Sequence, residues 1–169
     1  DNLILIDDVP FDRVVHFDQT LGEEEDIGGG GRYSIFAPNS IESAEFSPGG
    51  WSAAYGGRSG SLLKLDVTGG SPTPSASLRV DIAGLELGYE GPSGIHDDTT
   101  VFLTARQFDF GRVFDMIDEK DIGQPELTDI VLKTVTSLDS GDTIEFLGVY
   151  APEEYTRDID NVLESPDFE

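Results

Sequence analysis

The feature that most constrains this chain is its punctuation. Short apolar alternations recur roughly every 8 to 15 residues, separated by Gly, Pro, Asn, Asp and Ser. They read "NLILI", "RVVHF", "RYSIF", "SAEF", "WSAAY", "SLLKLDV", "SLRVDIAGLEL", "TVFLTARQF", "GRVFDMI", "DIVLKTV", "TIEFLGVY" and "RDIDNVL". Each is too short for a core helix, and no longer window keeps an apolar stripe at the helical period. The best helix candidate is "MIDEKDIG", one or two turns at most. About twelve strands joined by Gly/Pro-rich turns imply an all-β sandwich or barrel. The expected form is a jelly-roll β-sandwich of two antiparallel sheets with little or no helix, built as a single domain over residues 1–169.

Charge narrows the partners. The 169 residues hold 34 acids and 10 bases, a net charge of −24. Such a surface repels phosphate backbones and anionic headgroups, which disfavours nucleic acid and membrane surfaces. It attracts cations and suits a saline setting. No apolar run is long enough to span a bilayer, so membrane insertion is not expected. The absence of cysteine excludes disulfides and thiolate metal sites. The chain opens on Asp1 rather than Met, and the expectation is a secreted product after signal removal.

Catalytic patterns are weak. The two histidines, His16 on a strand and His96 in a loop, are expected to be structural or exposed. No nucleophile elbow in a strand–turn–helix context is present. Paired carboxylates carry no information in so acidic a chain. The glycines of "EEEDIGGGGRYS" are followed by a strand rather than a helix, and the acids before them oppose phosphate. The chain is not expected to be an enzyme.

Binding patterns are stronger. Calcium takes oxygen ligands from loop carboxylates. "DDVPFD", "HDDTT" and "RDIDN" supply such clusters, none with the spacing of an EF-hand. The last one sets Asp158, Asp160 and Asn161 in a closing strand, where Asp and Asn are poor residues unless something holds them. Sugar binding needs exposed aromatic faces with polar groups around them. Trp51, Tyr55 and Arg58 in "GGWSAAYGGRSG", with Arg32 and Tyr33 after the glycine run, are the candidates. The alternative for Trp51 is a place in the core.

Taken together, "NLILIDDVPFD", "IGGGGRYSIF", "GGRSGSLLKLDV" and "SGDTIEFLGVYAPEEYTRDIDNV" resemble the galactose-binding-like jelly rolls of secreted bacterial proteins, which include carbohydrate-binding modules. The resemblance implies a structural calcium joining first and last strands, with Asp7 or Asp8 and Asp160 as ligands. Two functions follow as expectations. One is a secreted, calcium-stabilised module that binds polysaccharide or mediates surface adhesion. The other is a subunit of an extracellular filament, surface layer or matrix, binding neighbouring copies by terminal-strand complementation with "DNLILI" as donor.

Overall fold

The computed structural model describes residues 2–17, 33–118 and 124–156. Strands dominate: β1 (Leu3–Ile6), β2 (Val9–Pro10), β3 (Val15–His16), β4 (Tyr33–Ser34), β5 (Ile41–Ser47), β6 (Leu62–Val67), β7 (Ser75–Val80), β8 (Gly84–Pro92), β9 (Thr99–Asp109), β10 (Gln124–Ser137), β11 (Thr143–Tyr150) and β12 (Glu153–Thr156). The all-β sandwich expected from the alternation is the fold.

The small sheet runs β2-β1-β6-β5 and the large one β11-β10-β9-β8-β7, with β12 continuing the β11 side of β10. The large sheet is a meander, its strands pairing antiparallel in chain order, whereas a jelly roll crosses between sheets at most connections. Short hairpin turns make the neighbours local. The small sheet carries one parallel pair, β1 with β6. Residues 3–6 therefore lie inside their own sheet, between β2 and β6.

Ile6 and Val67 of the small sheet meet Phe102 and Val131 of the large one, with Ile35 and Phe36 filling the space between them. Each of these buried side chains contributes about 2 kcal/mol by leaving water. Two ties cross the sandwich beside them. Lys133 donates to Val67 O at 2.7 Å, and Arg106 donates to Ser34 O at 2.6 Å and Ile35 O at 2.8 Å.

Three local readings change. "GRVFDMI" forms a short helix, α1 (Gly111–Met116), rather than a strand. "SLRVDIAGLEL" is two strands: Asp81 Oδ1 accepts from the N–H groups of Ala83 and Gly84, and the chain reverses between β7 and β8. "WSAAY" is a turn region, tied by the Trp51 indole N–H donating to Tyr55 O at 2.7 Å. "RDIDNVL" lies outside the described residues.

Candidate interaction surface

The alternation of side chains across a strand assigns each residue of the meander to one of two faces. Register then lines up neighbours into rows. On the inner face one row reads Arg79, Glu86, Arg106, Asp129, with charge alternating from strand to strand. Arg79 meets Glu86 at 3.2 Å, and Arg106 meets Asp129 at 2.7 Å. Asp129 also contacts His16 Nε2, while His16 Nδ1 faces Glu153 at 3.0 Å and Glu153 pairs with Arg13. His16 and Asp129 are almost fully buried. The ring thus bridges the two acids, one at each nitrogen. This is a structural role for His16; His96 is exposed.

The outer face is the opposite. Its rows read Val80, Leu85, Gln107, Thr128; then Leu78, Leu87, Ala105, Ile130, Tyr150; then Ala76, Tyr89, Leu103, Leu132, Gly148; then Gly91, Val101, Thr134, Phe146. A last row is Thr99, Thr136 and Ile144. These rows hold no Asp, Glu, Lys or Arg, although 26% of the chain is charged; the acids of this face are confined to one end, in the row Asp109, Glu126, Glu154. Leu78 is 66% exposed, Val80 70%, Phe146 57% and Tyr150 62%. The small sheet covers only the inner face, so these side chains face water. Single exposed apolar residues are ordinary, but a contiguous patch of this extent marks an interaction surface.

The residues singled out from the sequence lie elsewhere. Asp7 and Asp8 have φ of 47° and 62° and form the two-residue turn of the β1–β2 hairpin, a type I′ position that Asp tolerates. Asp7 Oδ2 sits 3.0 Å from Lys133 Nζ, and Asp7 Oδ1 accepts from Val67 N–H at 2.9 Å. Asp8 Oδ1 sits 2.9 Å from Lys64 Nζ. Hydrogen bonds to Asp8 and then Tyr55 raise the Lys64 pKa above that of an ordinary lysine. Two acids already engaged by ammonium groups do not fit a calcium ion, and Asp160 lies outside the described residues.

Trp51 and Tyr55 come together in the β5–β6 loop, yet the Tyr55 ring is partly covered by Lys64 Nζ, 5.4 Å from its centre. Arg58 belongs to the same loop. Tyr33 stacks on Phe110 at 4.1 Å, in another part of the fold, and Arg32 lies outside the described residues. The five proposed sugar contacts therefore do not form one platform among the described residues. Among these residues, no helix is long and apolar enough to cross a membrane.

Comparison with protein-family models, curated proteins and solved structures finds no match.

Proposed function

We propose that this chain is a non-catalytic assembly module that packs onto a second copy of itself through the outer face of β7–β11. The observation that carries the reading is the contiguous, largely aliphatic patch on the outer face, with acids only at the end that holds Asp109 and Glu126, on a chain of net charge −24. Five strands about 4.8 Å apart, over about six residues at about 3.4 Å each, span about 500 Å². Two copies face to face would bury about 1,000 Å², the lower bound of specific interfaces. Sheets stack in this way at about 10 Å in sandwiches, and a two-fold axis lets one patch serve both sides.

The composition of the face favours a protein partner over a glycan. Sugar platforms use aromatic rings, whereas this face is mainly Leu, Val, Ile and Thr. The Tyr89 hydroxyl is already bonded to Pro92 O at 3.1 Å. A polysaccharide reading rests on Trp51 and Tyr55 alone. Assembly by donation of residues 3–6 would remove β1 from the middle of its own sheet. Assembly through a face needs no such rearrangement, and it keeps the expectation of a matrix or surface subunit.

Light scattering and sedimentation test the reading. Repulsion between acidic copies opposes association, so dimer should grow as salt rises from about 0.05 to about 0.5 M. Leu78→Lys with Leu87→Lys should leave a folded monomer at every salt concentration. A parent chain that stays monomeric at high salt and high concentration refutes the proposal.

A further inference from the structure

On one side of the sandwich the two sheets part. The opening is flanked by β11, the last strand of the large sheet, and β2, the two-residue last strand of the small one. Between them lies a groove of about 760 Å³. Phe11, Leu147 and Val149 line its floor, and Asp7, Asp12 and Glu145 its rim. The volume falls within the range of ligand pockets. No strand pairs with the far side of β11 among the described residues, so its eight residues present a row of backbone donors and acceptors. Long apolar edges of this kind accept added strands.

Shape and charge together name the occupant. A strand laid along β11 turns alternate side chains toward the groove, beside Leu147 and Val149, and the rest toward the outer face, beside Ile144, Phe146 and Tyr150. Its inward positions must therefore be apolar at a period of two. Its flanking residues meet the acids Asp7, Asp12 and Glu145 that line the opening. Of the two nearby cations, Lys133 is held by Asp7, Glu145 and Val67 O, and Arg13 by Glu153. Asp12 is exposed at the rim, and the whole chain is strongly negative. An acidic strand from another copy would be repelled; a strand flanked by Lys or Arg would be drawn in.

We propose that the groove between β2 and β11 binds an extended basic peptide segment by strand addition to β11. This site opens on the inner side of β11 and borders the outer face at Phe146 and Tyr150.

The test uses the whole chain and synthetic peptides of about nine residues, enough to span the strand. One has valine at three alternate positions, threonine between them and lysine at both ends. A second replaces the lysines by aspartates. Calorimetry should show binding of the lysine peptide, weakened several-fold by Asp12→Lys and at least about tenfold by Val149→Arg. Amide resonances of Thr143–Tyr150 should move on titration. Asp12 is exposed, so its variant keeps the test sound if Val149→Arg does not fold. Any of three results overturns the proposal: no binding of the lysine peptide at millimolar concentration, equal binding of the aspartate peptide, or resonance shifts confined to β7 and β8. Loss of the lysine peptide's binding with dimerisation intact would separate this site from the assembly surface.

Discussion

Asp129→Asn removes one negative charge from the interior while keeping the side chain's shape. Asp129 is 1% exposed and holds Arg106, 9% exposed, and His16, fully buried. Arg106 is a permanent cation, 2.7 Å from the Asp129 carboxylate. Removing one member of a buried ion pair leaves charge uncompensated and costs about 3 to 5 kcal/mol. Against a total stability of about 5 to 15 kcal/mol, that is a large share. For a chain of this size it corresponds to a fall in melting temperature of about 6 to 20 °C. Circular dichroism on heating, checked by urea unfolding, measures it. A triple variant, His16→Leu, Arg106→Met and Asp129→Leu, should recover much of the loss, because a packed apolar cluster carries no desolvation cost. An Asn variant that melts within about 2 °C of the parent refutes the reasoning. It would mean that Asp129 does not balance the buried Arg106 charge.

Two further outcomes follow from the lysines. Burial works against the charge of Lys133, but contacts with Asp7 and Glu145 outweigh it, and its pKa lies above that of an ordinary lysine. Its contribution is therefore complete below the unfolded lysine value of about 10.4 and is lost as pH rises through the folded value. Lys133→Met should flatten the fall in melting temperature above about pH 10, and an unchanged alkaline profile would count against the bridge. Calcium at millimolar level should shift melting no more than sodium at matched ionic strength, because Lys133 and Lys64 already occupy Asp7 and Asp8. A calcium-specific rise would return these acids to the metal.

The strands were legible where apolar alternation was long. "SLLKLDV", "TVFLTARQF" and "TIEFLGVY" correspond to β6, β9 and β11. The hairpin at Asp81 was hidden because Leu78, Val80 and Ile82 continue the alternation through the turn. Period-two patterning also cannot say which face is the core. In β8 it is the charged Glu86 that is buried, while Leu85 and Leu87 meet water, and β7 is exposed on both faces. The acidic pair Asp7-Asp8 read as metal ligands because its turn conformation, with both φ positive, leaves no mark beyond the residue type. His16 and Asp129 are 113 positions apart, so no local spacing could join them. "GRVFDMI" has strand-like residues, but its backbone closes a helical turn, with Phe114 N–H bonding Phe110 O at 3.0 Å.

Turning charges inward and aliphatics outward also removes the usual guard on strand alignment. A slip of one residue between β7 and β8 would move Leu78 and Val80 to the side now held by Ser77 and Arg79. In most sheets that exchange loses burial; in this hairpin it costs little, because all six residues of β7 are exposed. What resists the slip is local. Asp81 clamps the turn, and Gly84 passes so close to the next strand that a Cβ there would lie 1.9 Å from Gln107 O. That approach pins β8 against β9, where Leu85 stands opposite Gln107. A nascent chain thus finds its alignment from the turn and one glycine rather than from the core. The copy that covers Leu78 and Leu87 would also select the correctly aligned hairpin, making assembly a proofreading step in folding.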